Sequence, residues 1–170
     1  MVGFQALLRT SELMGLKKSD VQFHSGRTTA TLNLGMTKSG KRRGRPESLL
    51  IDDPSTLDLL ELALLNLRPG EYLIGRSAPR FRKDFEKLLD VLGLSGFDFK
   101  PYSLRRGGAS HLFHETGNMS LTQERGRWSS LQTARLYVDE AVAVMGAAVM
   151  SVKQKHNCQK YCLVLSKLVK

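Results

Sequence analysis

Arginine, lysine and tyrosine stand in this chain at spacings that an ordinary core has no use for. Arg9 and Glu12 lie three apart in LLRTSELMGL, with Leu7, Leu8, Leu13 and Leu16 around them. Alone, they read as a surface ion pair at helical spacing, which contributes about 0.2–0.5 kcal/mol. Lys38 opens the basic run KSGKRRGRP, which continues through Lys41, Arg42, Arg43 and Arg45. Arg105 and Arg106 come within a turn of Pro101 and Tyr102, and the only tryptophan, Trp128, precedes Tyr137 by nine residues. A guanidinium fork takes two phosphate oxygens at once and stays charged near neutral pH. A phenol is ionised in only about one molecule in a thousand at pH 7, so it becomes a usable nucleophile only beside positive charge. Together such residues could do chemistry on a phosphate. Separately each has a plainer reading: Tyr137 as a core-edge ring, Trp128 as core filler, and the basic run as a solvated loop or a nuclear-localisation patch. Arg43-Gly44-Arg45-Pro46 also resembles an AT-hook, whose arginines enter narrow minor grooves.

Composition points the same way. The chain has 26 Lys and Arg against 16 Asp and Glu, a net charge of +10 that favours a polyanionic partner, nucleic acid or an anionic membrane surface. No apolar run approaches the ~20 residues of a membrane span, and MVGFQALL is too short and too polar-flanked for a signal peptide, so a membrane is not expected. Cys158 and Cys162 give no disulfide framework and suit a reducing compartment. With His156 they offer three ligands at a spacing that does not make a zinc site, and no metal is expected there.

The elements that must carry these residues follow from periodicity. Residues 3 to 16 read as one helix ending near Gly15. Segments 19–24 and 28–34 alternate like strands joined through Ser25-Gly26, and 47–53 makes a third. MTKSGKRRGRP between the last two is then the basic tip of a hairpin. At Asp53-Pro54 the period changes to 3.6, with a capping Asp or Ser, Pro near the start and a Pro-Gly stop. Residues 78–94 form an amphipathic helix with Phe81, Phe85, Leu88, Leu89 and Leu92 on one face, and 101–117, 120–127 and 131–150 are further helices. The sum is a mainly α fold with a small antiparallel three-stranded sheet (α+β): one domain over 1–150 and a basic tail over 151–170.

The stretches LLRTSELMGLKKSDV, TKSGKRR, YSLRRGGASHL, RGRWSS and ARLYVDE, in that order, resemble the catalytic domain of tyrosine recombinases and phage-type integrases. Any one of these pieces is weak; five in sequence are specific. The resemblance covers about residues 4 to 140. It implies the DNA breaking-and-rejoining fold, and places Arg9 and Arg105 as a clamp on the scissile phosphate, with Glu12 orienting them. Tyr137 is then the nucleophile that leaves a 3′-phosphotyrosyl bond, Lys38 the general acid for the 5′-oxygen, and Trp128 an indole donor and packing surface. Lys41 is the competing lysine on the same turn. Lys41, Arg42, Arg43, Arg45 and Arg106 are the expected DNA-binding residues.

Two features depart from the family's pattern. The family usually has His three residues before the second arginine, and Tyr102 stands there; a phenol can donate to phosphate but is a poor base at neutral pH. His111 and His114 are expected to pack or face solvent rather than replace that histidine. The chain also begins almost at Arg9, so the preceding helix is expected to be short and a DNA-clamping N-terminal domain to be missing. The expected function is site-specific recombination or integration, with double-stranded DNA as partner and homo-oligomers forming on it, in the nucleus of a eukaryote or otherwise in the cytoplasm with the nucleoid. The alternatives are a catalytically inactive DNA-binding remnant of a mobile-element integrase, and a basic interaction module without recombinase chemistry.

Overall fold

A computed structural model describes residues 1–138 and 149–168. The helix expected over 3–16 is two helices, α1 (Val2–Gln5) and α2 (Thr10–Gly15). The break is at Leu7, whose φ of 46° is left-handed. That conformation costs a non-glycine residue about 1–2 kcal/mol. It separates two neighbouring leucines that serve different cores. Leu8 packs with Ala6, Leu13, Leu16, Ala30, Leu32 and Ile51, whereas Leu7 packs with Ala109, Trp128 and Ala134. Burying each leucine is worth about 1.5–3 kcal/mol, enough to offset the strain. An unbroken helix would have satisfied the sequence's period but left one of the two cores without its leucine.

The sheet follows the expected topology. Strands β1 (Val21–Phe23), β2 (Ala30–Gly35) and β3 (Glu47–Ile51) pair antiparallel in that order, with Leu32 opposite both Val21 and Leu49. A register shift near Asn33 and Gly35 breaks the ladder just before the basic run. That run is not an open hairpin tip: it forms α3 (Lys38–Arg43), capped by Thr37, whose Oγ1 accepts from Gly40 N at 3.0 Å, and closed by Gly44 at φ 65°. Arg43 is therefore helical and Gly44 left-handed, which is not the extended backbone an AT-hook needs.

Helix α4 (Pro54–Leu64) has Asp53 as its cap, with Oδ2 accepting from Thr56 N at 2.7 Å and from Thr56 Oγ1 at 2.6 Å. Leu57, Leu60 and Leu64 of α4 press on the sheet. Lys18 Nζ reaches the carbonyls of Leu64 (2.9 Å) and Leu67 (2.7 Å), a cation at a helix C-terminus. Of the face expected on α5 (Ala78–Leu92), Leu89 is buried and Phe81 packs on the sheet core, while Leu88 remains 47% exposed.

Helices α6 (Ser103–Thr116), α7 (Met119–Gly126) and α8 (Leu131–Arg135) form the second layer. Gly108 brings α6 against the end of α1, where a Cβ would meet Phe4 O at 2.1 Å. The helix expected over 131–150 ends at Arg135 in its first part, and 139–148 lie outside the described residues. The basic tail is helical: α9 (Val152–Leu168) docks on α5, with Gln154 Nε2 donating to Gly93 O at 2.6 Å. Among the described residues no helix is long and apolar enough to cross a membrane.

Candidate active site

The Gly-Arg-Trp turn between α7 and α8 brings the aromatic residues onto an arginine. Arg105, on the first turns of α6, is 1% exposed. Its Nη1 donates to Leu7 O and its Nη2 to Gly126 O at 2.6 Å. Its guanidinium carbon lies 4.6 Å from the Trp128 ring centre and 5.7 Å from that of Tyr137. The Trp128 and Tyr137 rings are themselves 4.6 Å apart and tilted by 37°. Only glycine fits at 126, since a Cβ there would sit 1.9 Å from the Trp128 ring. Ser130 caps α8 by accepting from Thr133 N at 3.1 Å, and Tyr137 follows directly, with Ser110 Oγ donating to its carbonyl at 3.4 Å.

Tyr102, in the place where the family pattern has histidine, faces Tyr137 with ring centres 6.0 Å apart. The hydrogen bond from Tyr102 is the largest influence lowering the Tyr137 phenol below its usual value; the Trp128 indole, Arg105 and Arg9 act in the same direction, against partial burial. Tyr102 is pushed up to about 12, first by burial and then by the same hydrogen bond. Of the two phenols, Tyr137 therefore gives up its proton first. Trp128 Nε1 is buried and, among the described residues, completes no hydrogen bond of ordinary geometry, yet it still favours the Tyr137 phenolate. Burial, with Arg9 and Arg127 nearby, brings Arg105 down to about 10, leaving it protonated at neutral pH.

Arg9 does not ride on the face of a helix; it is the residue that caps α2. Its backbone N donates to Glu12 Oε2 at 2.8 Å, its Nη1 pairs with Glu12 Oε1, and the same Nη1 reaches Ser39 Oγ at 3.3 Å. Lys38 is exposed at the first position of α3. With Arg9, Glu12, Asp20, Asn33 and Thr37 it lines a cavity of about 240 Å³. Arg9, Glu12, Arg105, Trp128, Tyr137 and Tyr102 are thus linked by contacts or by their fields, and Lys38 adjoins Arg9 across that cavity. Lys41, Arg42, Arg45 and Arg106 are exposed. Arg43 lies 3.7 Å from Glu47. His111 packs near Phe4 (5.5 Å between ring centres) and His114 near Glu115 (3.6 Å), as expected of residues outside the site.

Two residues escaped the sequence reading. Arg127 is 3% exposed at φ 58°, and pairs with Glu12 Oε2 at 2.5 Å and Glu47 Oε2 at 3.3 Å. Burial pushes its pKa down, and the two carboxylates push it up. Glu47 was legible in principle. In ESLLI it shares the inward phase with Leu49 and Ile51, and an inward carboxylate in a strand requires a cation.

Comparison with curated protein sequences gave no match. Among solved structures the chain is similar to the XerH site-specific recombinase bound to difH substrate in a pre-cleavage complex, with TM-score 0.63 and 19% identity over 87% of this chain and 44% of that one. It is also similar to XerH bound to a palindromic difH substrate in a post-cleavage complex, with TM-score 0.61 and 19% identity over 88% of this chain and 43% of that one. At that identity the likeness carries the fold, that of the tyrosine-recombinase catalytic domain, and the chain spans less than half the length of those recombinase chains. The model of the phage integrase family matches residues 1–143. The chain belongs to the phage integrase family.

Proposed function

We propose that this domain cleaves and rejoins DNA through a covalent bond between Tyr137 and a 3′-phosphate. The observation that carries the reading is the convergence on Tyr137 of residues from distant parts of the chain: the Tyr102 and Trp128 ring centres lie 6.0 and 4.6 Å from its own and the Arg105 guanidinium 5.7 Å away, surroundings that lower its phenol. Tyr137 Oη attacks phosphorus and the bond to the 5′-oxygen breaks. The phenol proton passes to water, and Lys38 Nζ protonates the leaving 5′-oxygen. Arg9 faces the nonbridging oxygens, where charge grows in the transition state, and the buried Trp128 indole supports the Tyr137 phenolate. Arg105 holds Trp128 and Tyr137 together by its face and its field, which is a different task from the two-pronged clamp expected of it. The exposed Lys41, Arg42, Arg43, Arg45 and Arg106 neutralise backbone phosphates, and copies of the protein assemble on the duplex. The phosphotyrosyl bond keeps the energy needed for religation, so the reaction calls for no cofactor.

A nicked suicide substrate, from which the freed end diffuses away, tests this. The chain should accumulate a covalent protein–DNA adduct, and Tyr137→Phe should abolish it while leaving DNA binding unchanged. One observation favours the second reading, a DNA-binding remnant: both terminal nitrogens of Arg105 are already engaged by the carbonyls of Leu7 and Gly126. Tight, salt-sensitive binding with no adduct, from both the natural chain and Tyr102→His, would establish the remnant.

A further inference from the structure

We infer that Glu47 and Arg127 are positioning residues that fix the Lys38 turn against Arg9. The inference rests on the cleavage reading above and names two residues which that reading does not use. Lys38 lies between Thr37 and Ser39, and both of these donate to the same carboxylate oxygen, Glu47 Oε2, at 2.5 and 2.9 Å. Ser39 Oγ also accepts from Arg9 Nη1 at 3.3 Å. Arg127 then joins Glu47 Oε2, as an ion pair outside hydrogen-bond geometry (Nε at 3.3 Å), to Glu12 Oε2, by a hydrogen bond (2.5 Å), and Glu12 returns to Arg9 through the Arg9 backbone N at 2.8 Å. The contacts close a ring: Arg9, Glu12, Arg127, Glu47, Ser39 and back to Arg9. It ties together α2, α3, β3 and the turn after α7, which carry the candidate acid, the candidate phosphate ligand and the approach to Trp128.

The ring supplies what a general acid on a short helix lacks. Lysine's stem is flexible, so its ammonium is placed only as well as its own backbone is. A six-residue helix on a register shift has little stability of its own. Anchoring the residues on both sides of Lys38 to one buried carboxylate fixes that backbone while leaving the Lys38 side chain free. Glu47 and Arg127 have side chains only 6% and 3% exposed, so neither can exchange its partner for water. Glu47 Oε1 has no hydrogen bond among the described residues, with Arg43 at 3.7 Å. A carboxylate selected for stability alone would be expected to satisfy both oxygens.

The test compares adduct formation on two nicked substrates, one with the natural 5′-oxygen and one with a 5′-bridging sulfur, a leaving group that needs no proton. Glu47→Gln keeps the shape and one acceptor but loses the charge. It should slow cleavage of the oxygen substrate by about tenfold or more, as weakened general acid catalysis does, and come within about threefold of the natural chain on the sulfur substrate. Arg127→Lys, which keeps the charge without the fork, should behave alike. Equal slowing on both substrates would mean a structural role only and overturns the inference. A second measurement does not depend on cleavage. With lysines reductively methylated with ¹³C, the Lys38 signal, assigned by its loss in Lys38→Arg, should move in Glu47→Gln while those of Lys83 and Lys100 stay. An unmoved Lys38 signal overturns the inference whether or not the chain cleaves DNA. Absence of adduct from the natural chain on both substrates instead defeats the cleavage reading, and the lysine signal still decides this one.

Discussion

Tyr102→Phe isolates the interaction that most favours the Tyr137 phenolate, because it removes one hydroxyl and keeps the ring that faces Tyr137 at 6.0 Å. A hydrogen bond to a charged group is worth about 1.5–3 kcal/mol. Tyr102 is 43% exposed, so in the variant water recovers part of that interaction, and about 1 kcal/mol should remain. That raises the Tyr137 pKa, and the ~1 kcal/mol corresponds to about fivefold less phenolate at neutral pH. The assay is a pH titration of ring-labelled tyrosine by NMR, alongside the pH dependence of adduct formation. Cleavage by the variant should lag by about fivefold at pH 7 and draw level at the alkaline pH where both proteins carry ionised Tyr137. A Tyr137 pKa that does not rise, or a deficit that persists unchanged at high pH, would refute the pairing of the two phenols.

Stability should carry the other half of that coupling. Unfolded Tyr102 ionises near ~10 but keeps its proton to about 12 when folded, so its contribution is complete below ~10 and is lost as pH rises to about 12; denaturant melts of the natural chain and Tyr102→Phe should converge over that window. Gly126→Ala should displace the Trp128 ring, lowering stability by about 1–3 kcal/mol and shifting the tryptophan emission; unchanged emission would contradict the packing. Glu12→Ala leaves Arg127 buried with one carboxylate fewer, and should cost about 3–5 kcal/mol in urea unfolding, more than a surface pair could. DNA binding should weaken steeply with salt, and neutralising Lys41, Arg42, Arg43 and Arg45 together should make the log–log slope shallower by roughly one for each phosphate left without its cation, on every sequence alike.

The residue types and their order were decided at the level of sequence. Arg9, Lys38, Tyr102, Arg105, Trp128 and Tyr137 occur at spacings that local periodicity assigns to successive helices and turns, and the β-branched alternation of 19–34 marks two strands from chain neighbours alone, although their sheet is completed by β3. Asp53 before Pro54 fixes the start of α4 for the same reason: capping is a matter of neighbours in the chain. Long-range packing decided the rest. Periodicity favours one helix over 3–16, and only the competition between two cores for Leu7 and Leu8 breaks it, turning Arg9 from a helix-face residue into a cap. The basic run reads as a hairpin tip because nothing local announces that Thr37 will cap a helix and Gly44 will end it. Arg127 was invisible because its value lies entirely in partners 115 and 80 positions away, Glu12 and Glu47. A buried charge is tolerable only when opposite charges meet it in three dimensions, and no window along the chain contains all three.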